Sequence, residues 1–223
     1  MDGHEWIATA HVPDGVEMRL MQREDEFTIL LANAELMSTR ASTSEAALAS
    51  MTFARLGARV GAEWLIGGYG MGYTLRAALA VIGSDANVIV AEIVPEIIAW
   101  AHGPMHKLTA GCLDDPRIML VNEDVAMLIG AARQAYDAIL LDVDNGPDGL
   151  SRPANDNLYD RAGLRAAMNA LRPRGILAVW SAYPDPAFAL RLGDAGFEVH
   201  ETMIYETDET GAASHVIWFA QKP

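Results

Sequence analysis

Apolar and polar positions change rhythm twice along the chain. Across residues 5–37 the stretches 16–22 and 26–31 alternate, separated by the charged turn Arg23-Glu24-Asp25 and preceded by Pro13-Asp14-Gly15. That pattern predicts a small antiparallel β segment. From 42 to 56 the spacing becomes helical, with Ala46, Leu48, Met51, Phe53 and Leu56 as apolar positions, Thr43 or Ser44 as N-cap and Gly57 as stop.

From Glu63 onward short apolar runs alternate with helix-length segments. Strands are predicted at 64–67, 87–91, 118–121, 138–141 and 176–181, and helices at 74–82, 95–102, 125–133 and 161–171. Strands that are apolar throughout need cover on both faces, which means parallel βαβ units. A helix at 186–195 then leads to strands at 197–205 and 215–220, joined by the polar turn 206–211. So short a turn predicts a hairpin that adds an antiparallel strand at the sheet edge. The fold class is therefore α/β: a Rossmann-like, doubly wound, mostly parallel sheet with an antiparallel C-terminal strand. A small N-terminal β segment, residues 1–41, precedes the larger unit, residues 42–223.

Candidate chemistry gathers at the predicted strand ends. The run Gly67-Gly68-Tyr69-Gly70-Met71-Gly72 follows the first strand of the larger unit and opens a helix. Glycines there permit positive φ and let backbone N–H groups approach a ligand. Glu92 ends the next strand, where a carboxylate can take both hydroxyls of a ribose. The following strands end in Asn122-Glu123-Asp124 and in Asp142-Val143-Asp144-Asn145-Gly146-Pro147. Three consecutive strands ending in acids suggest one polar pocket, although each acid also suits a helix N-cap or a turn.

Taken in order, Leu65-Ile66-Gly67-Gly68, Thr74-Leu75-Arg76, Val90-Ala91-Glu92-Ile93, Asp115-Pro116-Arg117, Tyr136-Asp137-Ala138-Ile139 and Leu141-Asp142 resemble the spermidine synthase branch of the class I S-adenosylmethionine-dependent transferases. The similarity covers roughly residues 60–180. It implies that Glu92 binds the ribose of the nucleoside cofactor and Asp124 its adenine amino group. Gly68, Gly70 and Gly72 would pack against the cofactor's tail, and Asp142 would deprotonate or hold the acceptor amine. The branch's habit of pairing implies a homodimer. On the acceptor side the expected residues are Asp144, Asn145, Tyr69 and Tyr159. Tyr159 belongs to the polar stretch 151–159, and Tyr69 joins Tyr73, Trp180 and Tyr183 as possible walls around a cation.

Two departures from the branch redirect the expected activity. Its aminopropyl-transferring members carry an aspartate in the glycine loop that holds the transferred propylamine, whereas here no acid lies between Gly67 and Thr74. The second acid of the loop after the fourth strand falls on Asn145, with Asp144 shifted by one. An unpaired buried ammonium is costly. The expectation is therefore methyl transfer from S-adenosylmethionine to a small amine or hydroxyl. Aminopropyl transfer from decarboxylated S-adenosylmethionine is the alternative, and a nucleoside-binding protein without catalysis a third reading.

Composition narrows the partners. Sixteen basic against thirty acidic residues give a formal charge of -14, without a basic stripe to draw a phosphate backbone, so a nucleic-acid partner is not expected. No apolar stretch approaches the ~20 residues of a membrane span, and Met1 to Trp6 lacks the basic and apolar regions of a secretory signal. A cytoplasmic protein acting on a small-molecule acceptor is expected. The single cysteine, Cys112, excludes a disulfide framework and a cysteine-rich zinc site. His102 and His106 are separated by Gly103-Pro104 and have no evident third ligand, so no metal is assigned.

Overall fold

A computed structural model describes residues 5–13, 15–40, 42–143, 145–147, 156–208 and 211–223. The N-terminal segment forms a four-stranded antiparallel sheet, β1 (Glu5–His11), β2 (Glu17–Arg23), β3 (Glu26–Leu31) and β4 (Ala34–Ser38), paired in chain order. Met18 and Leu20 on β2 and Phe27 and Ile29 on β3 are buried, as a half-covered sheet requires. Their apolar side chains join one cluster with Leu48, Trp64 and Ile66, so this sheet rests on the larger unit and shares its core.

Helix α1 (Thr43–Leu56) connects the two sheets and stops at Gly57, whose φ is +72°. Its N-cap is Ser42, one residue before the expected Thr43 or Ser44, and no side chain caps it. The buried face runs through Ser44, Glu45, Leu48, Ala49 and Thr52, which is turned from the expected stripe, because Met51 and Phe53 are only half-buried. That rotation carries an acid inward.

The larger unit alternates β5 (Glu63–Gly67), α2 (Tyr73–Val81), β6 (Asn87–Ala91), α3 (Pro95–His102), α4 (His106–Thr109), β7 (Ile118–Val121), α5 (Val125–Ala131) and β8 (Tyr136–Leu141). It continues through α6 (Asp156–Tyr159), α7 (Arg161–Ala170), β9 (Leu171–Ser181), α8 (Pro186–Asp194), β10 (Glu198–Asp208) and β11 (Gly211–Gln221). These strands form one sheet in the order β10-β11-β9-β8-β5-β6-β7. Trp64, Leu65 and Ile66 and all six residues of β8 are buried, as strands covered on both faces must be. The hairpin forms as expected, but the antiparallel strand β11 lies one place in from the edge, between β9 and β10. Its Val216, Ile217, Trp218 and Phe219 are fully buried, a composition that suits an interior strand and leaves the half-polar β10 outside.

β9 begins five residues earlier than predicted, at Leu171, and Asp137 explains the extension. Its buried carboxylate accepts from Arg59 Nη1 and Arg172 Nη1, both at 2.7 Å, and from the Glu63 backbone N–H at 2.9 Å. Those contacts tie the starts of β5, β8 and β9 together at the edge opposite the strand ends. Burial alone would raise the Asp137 carboxyl, but the Glu63 N–H and the two guanidinium groups outweigh it and hold it below the usual range.

Asp137→Asn should therefore cost about 1.5–3 kcal/mol at neutral pH, the scale of hydrogen bonds to a charged group. A depressed folded-state pKa gives stability above the unfolded value near 3.9 that is lost as pH falls through the folded value. Chemical denaturation at pH 7 and pH 3 should show the gap between wild type and variant closing at the lower pH.

Candidate active site

The carboxyl ends of the parallel strands meet at one edge of the sheet, and β5 sits between β6 and β8 at the point where strand order reverses. The chain leaves β5 into the glycine loop, with Gly68, Gly70 and Gly72 at φ of +85°, +53° and +76°. At two of them close approach adds to the conformational demand. A Cβ at Gly68 would collide with the carbonyl oxygen of Asp142, and one at Gly70 would lie 2.9 Å from both Sδ and Cε of Met37 on β4. The loop is thus pressed between the end of β8 and the N-terminal sheet.

Glu92, just past β6, braces this loop. One carboxylate oxygen accepts the Tyr69 N–H and the other the Val94 N–H, each at 2.9 Å. Burial pushes the carboxyl up from its ordinary value, with the neighbouring backbone donors, Tyr69 and Val94 first, opposing the shift. Other loop donors are committed too: Gly68 N–H to the Ala91 carbonyl at 2.9 Å and Gly72 N–H to the Tyr69 carbonyl at 2.8 Å. Little donor capacity is left for an anionic group of a ligand.

Asp142, at the end of β8, takes the Thr74 hydroxyl at 2.6 Å. The same hydroxyl lies 3.2 Å from the Glu45 backbone carbonyl. A hydroxyl has one proton, so a neutral Asp142 can donate to Thr74 while Thr74 donates to Glu45, and an ionised Asp142 takes the Thr74 proton instead. Burial pushes the Asp142 carboxyl up to about 6, against the pull of the Thr74 hydrogen bond.

Gly68, Gly70, Glu92, Asp124 and Asp142 all line one cleft of about 920 Å³, its open mouth included. Val12, Met18, Ile29, Leu36 and Met37 of the N-terminal sheet form its apolar wall. The acids are Glu45, Glu92, Glu123, Asp124 and Asp142, and no Lys, Arg or His is among the described lining residues. Asp124 has a second task, since its Oδ1 caps α5 through the Ala126 N–H at 2.9 Å.

Other expected residues lie elsewhere. Gly72 is the N-cap of α2 and lies outside the cleft, its backbone turned so that a Cβ would meet the Tyr69 hydroxyl at 2.8 Å. Tyr69 and Tyr159, expected on the substrate side, are instead packed inside. Tyr69 is 4% exposed with its hydroxyl 3.5 Å from Cys112 Sγ, because the αL turn at Gly68 points it beneath the loop. Tyr159 is 3% exposed and meets the Phe188 ring edge to face at 5.7 Å, on an amphipathic turn whose apolar side faces α8. Asn145 ties its turn to the end of β9, its carbonyl accepting the Ser181 hydroxyl at 3.0 Å and the Ala182 N–H at 3.2 Å, and it does not line the cleft. Asp144 and residues 151–155 of the expected acceptor loop lie outside the described residues. Trp180 lines the cleft, Tyr73 is half-buried with the Arg76 guanidinium 4.8 Å from its ring centroid, and Tyr183 is exposed.

Glu45 is the cleft acid that sequence reasoning passed over. Its signal is the 3–4 residue spacing to Leu48, Ala49 and Thr52 on the buried face of α1, legible once the stripe is drawn through those positions.

Comparison with solved structures assigns the fold class. The chain superposes on a spermidine synthase from Thermotoga maritima with TM-score 0.76 at 19% identity, covering 98% of this chain and 73% of that one. A spermidine synthase in complex with the transition state analogue AdoDATO gives the same score at 18% identity, covering 98% of this chain and 72% of that one. The architecture is thus the Rossmann-like spermidine synthase fold. The spermine/spermidine synthase domain family matches residues 65–185, more than half the chain, and the protein belongs to that family.

Among curated relatives, polyamine aminopropyltransferase 1 of Streptomyces coelicolor is 34% identical over 65% of this chain and 26% of its own length. Polyamine aminopropyltransferase 2 of Pseudomonas aeruginosa is 30% identical over 52% of this chain and 32% of its own. The matched segment therefore spans only a quarter to a third of those relatives.

These findings overturn the expectation of methyl transfer. Both relatives are aminopropyltransferases, and the physical ground for preferring S-adenosylmethionine also fails. S-adenosylmethionine would need loop N–H groups free to receive its amino acid carboxylate, but Glu92 and the backbone already occupy most of them. The supposed shortage of carboxylates is likewise met by Glu45 entering the cleft.

Glu92→Gln replaces one acceptor oxygen with an amide that opposes a backbone N–H. Folding stability at neutral pH should fall by about 1.5–3 kcal/mol in chemical denaturation, the scale of lost bonds to a charged group.

Proposed function

We propose that the protein is an aminopropyltransferase, moving the propylamine of decarboxylated S-adenosylmethionine to a small di- or polyamine. The observation that carries this reading is the cleft at the ends of β5, β6 and β8, with five acids and no described basic residue in its wall. Such a wall attracts a cationic donor and a cationic acceptor and disfavours the free carboxylate of S-adenosylmethionine. Family membership and the relatives' aminopropyltransferase names support it.

In this reading Glu92 holds the ribose with its remaining lone pairs and Asp124 or Glu123 faces the base. Donor and acceptor align above Gly68, where an amine nitrogen can approach the sulfonium-bound propyl carbon in line with the departing sulfur. The nitrogen lone pair forms the new C–N bond as the C–S bond breaks, and its electrons remain on sulfur as neutral methylthioadenosine. Asp142 orients the attacking amine and takes its proton, with Thr74 fixing the carboxyl. A carboxyl held near 6 is mostly ionised at neutral pH and is a stronger base than an exposed aspartate.

Incubation with decarboxylated S-adenosylmethionine and a panel of diamines should yield methylthioadenosine together with an amine heavier by one aminopropyl unit, read by mass spectrometry. Transfer of methyl alone, or no transfer with any amine, would sink the reading. With the best acceptor, Asp142→Asn should lower the single-turnover rate by about 10²–10⁴ and remove an acid limb near pH 6 in which rate rises with pH. Stability should move the other way. A folded-state pKa above the unfolded value favours the neutral carboxyl, so wild type loses stability as pH rises from about 4 through about 6. The variant should melt no lower than wild type at pH 8.

A further inference from the structure

The aminopropyl donor carries its own ammonium three carbons from sulfur, and the glycine loop has no acid to receive it. Gly70 is one of two loop glycines that line the cleft, and its backbone is in the left-handed region that favours glycine. Its φ is +53°, and any Cβ there would come within 2.9 Å of the Met37 thioether that β4 lays over the loop. A carboxylate for the donor must come from another element.

The cleft offers two groups of acids on opposite sides of the loop. Glu92, Glu123 and Asp124 follow β6 and β7, on one side of β5. Asp142 follows β8, on the other side, and Thr74 bonds both to its carboxyl and to the Glu45 backbone. A nucleoside held by Glu92 would sit beside β6, leaving the space across Gly68 toward β8 for the arms on its sulfur. Glu45 is the acid there that does not already serve the acceptor. It is 7% exposed, it lines the cleft, and the Ser44 hydroxyl donates to its Oε2 at 2.7 Å, fixing the rotamer of a side chain in the first turn of α1.

We propose that Glu45 is the specificity residue for the donor, its carboxylate receiving the ammonium of the transferred propylamine in place of an acid in the glycine loop. This inference rests on the aminopropyltransferase reading. It moves donor selection from the nucleotide-binding loop to the helix that joins the two sheets. Glutamate reaches further than aspartate, which suits a group projecting from α1 rather than from the loop itself. A glutamine there keeps the shape and can still accept from Ser44, but it removes the charge that distinguishes an ammonium from a neutral tail.

Calorimetry on the full chain, without acceptor, separates the possibilities. Methylthioadenosine has the nucleoside and sulfur but no propylamine, so its affinity reports the rest of the site and the integrity of the fold. Glu45→Gln should weaken decarboxylated S-adenosylmethionine at least tenfold while methylthioadenosine stays within twofold. Glu45→Asp, with charge kept and reach shortened, should fall between. Equal losses for both ligands would make Glu45 structural and overturn the proposal. Unchanged donor affinity with a raised KM for the acceptor amine would overturn it as well, assigning Glu45 to the acceptor. If wild type itself prefers S-adenosylmethionine, the aminopropyltransferase reading fails first. If wild type prefers the decarboxylated donor and Glu45→Gln keeps that preference, only the role of Glu45 fails.

Discussion

The buried carboxylate of Glu92, bonded to the N–H groups of Tyr69 and Val94, holds the rest of the site in place. Three glycines at positive φ make the loop after β5 easy to bend and entropically costly to order. Glu92 supplies the order by tying the loop to the neighbouring strand. A buried ionised group is tolerated only when it is hydrogen-bonded, and here one backbone N–H on each oxygen holds it before any ligand arrives. The glycine loop is therefore held in place before any ligand binds. The same commitment leaves those loop donors unable to hold an anion.

The two ends of the sheet divide the work of their acids. At the starts of β5, β8 and β9, Asp137 is paired with Arg59 and Arg172 and lowers its pKa, so it stabilises the fold and has no proton to offer at neutral pH. At the ends of β5 and β8, Asp142 has a hydroxyl for a partner instead of a cation, and its pKa rises to about 6. Five residues apart on the same strand, the two aspartates differ only in what surrounds them. A carboxylate left without a basic partner beside an open cleft has unspent capacity to bind one.

Much of this was legible in the sequence. The order of strands and helices, the glycine loop, Glu92 and Asp142 all follow from apolar runs punctuated by turn residues, because those patterns are local. What escaped depends on packing across distant segments. The rotation of α1 that buries Glu45 is decided by the sheets on either side of it, and its sequence reads equally well with Met51 and Phe53 inward. Tyr69 and Tyr159 sit beside polar neighbours and read as site residues, yet each ring is drawn under its own backbone, by the turn at Gly68 in one case and by Phe188 in the other. The position of β11 inside the edge was hidden because a hairpin fixes the pairing of two strands but not which of them joins the sheet. The absence of an acid from the glycine loop suggested a different reaction, because the local pattern does not show that Glu45, on the helix before the loop, lines the same cleft.

The contact of Met37 with the glycine loop makes the N-terminal sheet part of the cleft wall. A four-stranded antiparallel sheet of this size has too little interior to be stable alone, and its buried Met18, Leu20, Phe27 and Ile29 are covered by sharing the core of the larger unit. The docking that stabilises it also lays Val12, Leu36 and Met37 over the cleft, where they exclude water from charged groups and strengthen their attraction to a cation. A side chain at position 70 would need a positive φ and would displace the tip of Met37, whereas the helix that follows β4 brings a carboxylate to the same cleft. The chain order β4, α1 places Glu45 only seven residues after Ser38 at the end of β4, so the wall that crowds Gly70 and the helix that brings an acid to the cleft are consecutive pieces of one connection.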